Sequence, residues 1–227
     1  MKFSIATRLA IAAIILSALV TGCADAPRLV AEDPTTGFAL YRSGRLSPAD
    51  LGVLCSLGVS EILVLDGEAA ERECVFQREL CPDLTVRYDF AQEEDRPVSV
   101  DFLEAFDAWI DDARATGRKV AFRCRHGWHR TGRLAAYYRI RFEGATASEV
   151  TEEMHDIGRM MWRHPSLGPQ IQAYEDLIAG RPCSTDPEHC LVDEPDGGLL
   201  HAQFPENACE PAPVTRMNHG RDQTGGT

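Results

Sequence analysis

The chain alternates short apolar runs with stretches in which apolar residues recur every three or four positions. The runs "GFALYRSG" (37–44), "EILVLDG" (61–67), "LTVRYDF" (84–90) and "RKVAF" (118–122) are rich in β-formers, which predicts strands. "LSPADLGVLCSLGV" (46–59) puts Leu51, Leu54, Cys55 and Val59 at helical spacing. Ser47 serves there as N-cap, with Pro48 at the first helical position and Asp50 in the first turn. "VDFLEAFDAWIDDARATG" (100–117) gathers Phe102, Phe106, Trp109 and Ile110 on one side and stops at Gly117. Further helical patterns cover 130–143, 147–157 and 168–178. Strands alternating with helices predict an α/β fold, a single domain over residues 36–181 with a largely parallel central sheet flanked by helices.

Both ends depart from this pattern. Lys2 and Arg8 precede an apolar run, Leu9 to Val20, that is short for a membrane span and reads as an export signal. It leads into Leu19-Val20-Thr21-Gly22-Cys23, and a small residue directly before Cys resembles the bacterial lipoprotein signal. The resemblance implies removal of residues 1–22, acylation of Cys23, and a lipid-anchored place in the bacterial cell envelope. Residues 23–35 then read as a polar tether. Residues 182–227 are rich in Pro, Gly and Asp, lack periodicity, and read as an irregular, Cys-containing extension.

The formal net charge of -12 becomes -14 once Lys2 and Arg8 leave with the signal. That balance argues against nucleic acid as a partner. Of the eight cysteines, Cys23 belongs to the lipid signal and Cys124 to a basic loop. The remaining six predict up to three disulfides in an oxidising compartment, with the connectivity open.

Against the acidic background, "AFRCRHGWHRTGR" (121–133) holds four arginines, two histidines and a single cysteine, with no acidic residue. A strand enters this loop and a helix leaves it near Arg130, so the helix N-terminus points its unpaired N–H groups back into the loop. Gly127 lets backbone amides curl around an anion, and the same field stabilises a thiolate at Cys124. The Arg130 guanidinium suits two oxygens of a phosphate at once.

Cys124-x5-Arg130-Thr131, with Gly127 midway, resembles the signature of the cysteine-dependent protein tyrosine and dual-specificity phosphatases. "CRHGWHRTGRLAAYYRI" is similar to the bacterial dual-specificity branch, as are "YRSGRLSPADLGVLCSLGVSEILVLDGE" (41–68) and "EVTEEMHDIG" (149–158). The resemblance implies a dual-specificity-phosphatase-like fold and hydrolysis of phosphate monoesters through a cysteinyl-phosphate, without cofactor or metal. The substrate would be a phosphotyrosyl or phosphoseryl protein, or a phosphorylated inositol-type small molecule. Cys124 would be the nucleophile, and the loop Arg125, His126, Gly127, Trp128 and His129 would bind phosphate together with Arg130. Thr131 would assist the sulfur as leaving group. Asp95, with Glu94 and Glu93 as neighbouring rivals, would be the general acid.

Two departures stand out. The family usually has His before the nucleophile, where this chain has Arg123, a cation able to supply the electrostatics but not the same hydrogen bonds. Trp128 replaces a Lys found in many relatives that act on multiply phosphorylated small molecules. Three other readings compete: a Cys124/His126/His129 metal site, a sulfur-transfer enzyme, and a weak or inactive lipoprotein that binds phosphorylated ligands. Crowded arginines disfavour the first, and the loop length together with Asp95 and Thr131 disfavours the second.

Overall fold

The computed structural model describes residues 26–67, 70–88, 92–192 and 209. The stretch read as an export signal, Cys23 and most of the C-terminal extension lie outside them. Five strands form one sheet in the order β1-β2-β5-β3-β4: β1 Arg28–Asp33, β2 Phe38–Ser43, β3 Val59–Val64, β4 Thr85–Tyr88 and β5 Lys119–Arg123. All neighbouring pairs are parallel except β1, which lies antiparallel on β2. The helices are α1 Pro48–Ser56, α2 Ala70–Leu80, α3 Val100–Thr116, α4 Arg130–Glu143, α5 Ala147–Ile157 and α6 Leu167–Ile178. The domain is thus the α/β architecture that the alternating pattern predicts.

The period of two along each strand divides the core into two layers. Val120 and Phe122 of β5, with Leu63 of β3 and Leu40 of β2, face Phe106 and Ile110 of α3 and the apolar side of α4. Ala121, Ile62 and Val64 face the other way, onto Leu51 and Leu54 of α1 and Cys74 of α2. Each fully buried Leu or Ile contributes about 1.5–3 kcal/mol. α1 starts as the sequence predicts, on a capping box in which Ser47 and Asp50 satisfy each other's backbone amides. α3 ends on Gly117 at φ +67°, a left-handed conformation that favours glycine.

Two elements escaped the sequence reading. Residues Arg28–Asp33, within the stretch read as a tether, form an edge strand with a bulge between Leu29 and Ala31. Its charged, mostly solvent-facing side chains suit a sheet edge and hide the alternation. α2 has few apolar residues and is held otherwise. Disulfides Cys74–Cys209 and Cys55–Cys81 fasten it, and buried Gln77 donates to the carbonyls of Cys81, Pro82 and Leu84. A third disulfide, Cys183–Cys190, closes a small loop at the start of the extension. Among the described residues, no helix is long and apolar enough to cross a membrane.

One buried carboxylate fastens the α3 side of the sheet. Glu61 in β3 accepts from the Trp109 indole of α3 at 2.7 Å and from Arg87 of β4 at 2.5 Å, and it pairs with Arg118. Replacing it removes an acceptor shared by an indole N–H and two partly exposed guanidiniums, of which Arg118 keeps Asp112. Glu61→Ala is therefore expected to lower unfolding free energy by about 2 kcal/mol, read from urea denaturation, with Glu61→Gln in between.

Candidate active site

Ligand sites in parallel sheets open beyond the carboxyl ends of the strands, and β5 lies between β2 and β3. The chain leaves β5 at Arg123, makes the loop 124–129, and enters α4 at Arg130. The turn after β2 lies against this loop: Cys124 N–H donates to the Ser43 carbonyl at 3.4 Å, and Arg45 N–H to the Arg125 carbonyl at 3.1 Å. From β2 itself, the buried Arg42 guanidinium donates to the carbonyls of Gly127 at 2.7 Å and Trp128 at 3.2 Å. In a trans peptide, C=O and N–H point in opposite directions. Carbonyls of 125, 127 and 128 held by Arg45 and Arg42 therefore turn the amides of 126, 128 and 129 to the opposite side, toward the loop's hollow, the arrangement an anion requires.

Gly127 makes this curl possible on two grounds. Its φ is +72°, and a Cβ would stand 2.6 Å from the Gly44 nitrogen and 2.7 Å from the Ser43 carbonyl carbon. The loop thus lies directly on the backbone of the β2 turn.

Cys124 is the free cysteine among the described residues and is 2% exposed. Its Sγ lies 3.7 Å from the Thr131 hydroxyl in the first turn of α4. No side chain caps α4, whereas α1, α3 and α5 begin on Ser47, Ser99 and Thr146 caps. The sulfur therefore meets the positive end of a helix. Burial pulls the Arg42 guanidinium down to about 10, and the nearby charge of Cys124 pushes it partly back.

The arginines of the loop divide by task. Arg125 is exposed at the mouth. Arg130 pairs with Glu94 at 2.9 Å and reaches the Leu65 carbonyl at 3.5 Å, so its charge lies over the loop. Arg123 is completely buried and forms ion pairs with Asp66 at 2.5 Å and with Glu73. Its charge is matched by carboxylates, so the electrostatic help to the thiol that the sequence suggested does not come from Arg123. Arg133, 1% exposed, holds the acidic loop through the Arg96 carbonyl at 2.6 Å and Gln92 at 3.2 Å.

That acidic loop is fastened from α6 as well. Gln170, bonded to Arg133, donates to the Glu94 carbonyl at 3.2 Å, and the Ser166 hydroxyl donates to Asp95 at 3.1 Å. Asp95 also faces His164 at 3.6 Å, with its side chain 71% exposed. Glu94, not Asp95, is the carboxylate against Arg130; Glu93 is exposed. His129 is buried, which lowers its affinity for a proton. Its Nε2 meets the Arg159 carbonyl at 3.1 Å and its ring lies 4.1 Å from that of His164. It supports the wall of the site. Trp128 stacks on His126 with centroids 5.4 Å apart, and Arg159 lies 5.8 Å over its ring. Among the described residues, no group of three His, Cys, Asp or Glu gathers to hold a metal, so Cys124, His126 and His129 do not form the alternative metal site.

Sequence reasoning missed Arg42, Asp66, Glu73, Arg133, Ser166 and Gln170. Two of them left a signal. Arg42 interrupts the apolar run of β2, and Gln170 lies among apolar positions of α6, so each is a polar residue where burial is expected.

No family model matches the chain and no curated protein does. Solved structures do resemble it. A mutant form of Tk-PTP superposes with a TM-score of 0.51 at 16% identity, over 68% of this chain and 97% of that one. Human DUSP28 gives 0.50 at 16% identity, over 66% and 95%. P. aeruginosa TpbA is 21% identical over 66% and 96%, with a TM-score of 0.48. The fold is that of the cysteine-dependent tyrosine and dual-specificity phosphatases.

A methyl group at position 127 cannot fit without moving the β2 turn. Gly127→Ala is expected to weaken vanadate binding by at least about a hundredfold, or ~2.7 kcal/mol, by calorimetry. The protein should remain folded by circular dichroism.

Proposed function

We propose that this chain is a cysteine-dependent phosphatase that hydrolyses phosphate monoesters through a cysteinyl-phosphate. One observation carries the reading: a thiol lies against the uncapped first turn of α4, in a loop whose carbonyls are held away from its hollow by the Arg42 side chain and the Arg45 amide. The Cys124 thiolate attacks phosphorus and the ester P–O bond breaks, with Asp95 delivering a proton to the leaving oxygen. Water then attacks the thiophosphate, Asp95 takes its proton, and the Thr131 hydroxyl donates to the departing sulfur. Loop amides and Arg130 hold the equatorial oxygens as charge shifts among them. Glu94 is the resting counter-ion of Arg130 and yields to the arriving phosphate.

The mouth favours a phosphate borne on a flat or further charged group. Arg125, His126 and the Trp128–Arg159 pair line it, which suits a phosphotyrosyl or phosphoseryl protein or a phosphorylated inositol-type molecule. The export signal and Cys23 support a lipid-anchored enzyme of the bacterial cell envelope.

Phosphate release from a phosphotyrosyl peptide and from inositol hexakisphosphate is expected from the wild type, with vanadate or tungstate inhibiting and EDTA without effect. Cys124→Ser should abolish it. A folded wild type that binds vanadate yet releases no phosphate would select the reading of a binding-only lipoprotein. Asp95→Asn is expected to slow hydrolysis of alkyl phosphates by about 10²–10⁴ while sparing aryl esters with good leaving groups. The same selective loss in Glu94→Gln, with Asp95→Asn unaffected, would move the acid role to Glu94.

A further inference from the structure

The residue immediately before the nucleophile is a fully buried arginine, and everything around it is arranged to hold it. Arg123 forms an ion pair with Asp66, just beyond β3, and a hydrogen-bonded one with Glu73 of α2. Glu73 uses its other oxygen to accept the Leu46 amide at 3.1 Å, in the turn after β2. Asp66 is also 3.6 Å from Arg45, whose amide holds the Arg125 carbonyl of the phosphate loop. The Leu65 amide bonds the carbonyl of Arg123 itself at 2.9 Å. Two guanidiniums and two carboxylates thus join the ends of β2, β3 and β5 in a charge-balanced group directly beneath the loop.

A buried group of this kind gains little net stability, because desolvation offsets the attraction. Its value lies in geometry: each partner has one place where its charge is matched. Burial pushes the Glu73 carboxyl up, and the Arg123 guanidinium opposes that shift. Glu73 sits beside Cys74, whose disulfide to Cys209 crosses 135 positions of sequence; the other restraints on α2, the Cys55–Cys81 disulfide and the Gln77 hydrogen bonds, act nearer its C-terminal end.

We propose that Arg123, Asp66 and Glu73 are positioning residues for Cys124, and that the Cys74–Cys209 disulfide acts on the site by fixing Glu73. The kinetic part of this inference rests on the phosphatase reading; the positioning of the thiol does not.

The test follows Cys124 alkylation by iodoacetamide against pH in the full chain, read by mass spectrometry of the Cys124 peptide, alongside thermal melting. Three variants are compared: Glu73→Gln, which retains one acceptor where two donors need service; Arg123→Lys, which keeps the charge and loses the fork; and Cys74→Ala with Cys209→Ala. Each is expected to move the alkylation profile upward by about one pH unit, slowing reaction about tenfold on the low-pH limb of the profile. Adding Glu73→Gln to the disulfide-free variant should change little more, because both act through one contact. Lower melting temperatures with an unmoved profile in Glu73→Gln and Arg123→Lys would overturn the inference. Multiplying effects of Glu73→Gln and disulfide loss would overturn the disulfide's part. Should the disulfide-free chain fail to fold, adding Glu73→Gln to Arg123→Lys replaces that cycle, and independent effects there overturn the unit. A profile that shifts in a protein releasing no phosphate would uphold the positioning while rejecting the phosphatase.

Discussion

A loop that turns its amides toward an anion must turn its carbonyls into the protein, where each needs a donor. Here the donors come from the strand beside it and from the turn that follows that strand. Arg42 takes two carbonyls with one guanidinium nitrogen, and the Arg45 amide takes a third. The contact requires β2 to run parallel beside β5, so that both strands end at the same edge. It also requires no side chain at 127, where the loop touches the β2 turn. Fold topology, a buried arginine and one glycine therefore express a single constraint, and the anion-facing surface follows from it.

The dense positive charge of the loop has a divided purpose. Arg123 and Arg133 are buried and matched, one by carboxylates beneath the loop, the other by carbonyl and amide oxygens of the acidic segment. Only Arg125 and Arg130 lie toward the mouth, and Arg130 keeps Glu94 as a partner. Guanidinium serves both purposes because its fork fixes direction as well as charge. An acidic protein can thus carry a concentrated basic segment without a strongly basic surface: much of that charge is structural.

The strands β2 to β5, and α1 with α3 to α6, were legible because their burial follows a period. The loop was legible because its chemistry lies within one short stretch. β1 and α2 were not, since an edge strand and a disulfide-held helix need no apolar stripe. Asp66 and Glu73 stayed hidden for a related reason. Asp66 reads as the end of an Asp-Gly turn, and Glu73 as a solvated charge; only the sheet order brings both to Arg123. The acidic loop was found, but the division between Asp95 on Ser166 and Glu94 on Arg130 depends on α6, which lies some seventy positions away.

The sheet also separates two kinds of cysteine chemistry. Cys124 belongs to the core layer that holds α3 and α4, while Cys74, Cys81 and Cys209 lie in the layer on the other face, with Cys55 packed against it. Thiol–disulfide exchange needs the thiolate in direct contact with a disulfide sulfur. Strands β3 and β5, hydrogen bonded along their length, stand between those layers, and Cys183–Cys190 lies on the extension after α6. A buried free thiol and three disulfides can therefore coexist in one small domain: the backbone that positions Cys124 also keeps it from the bonds that fasten the fold.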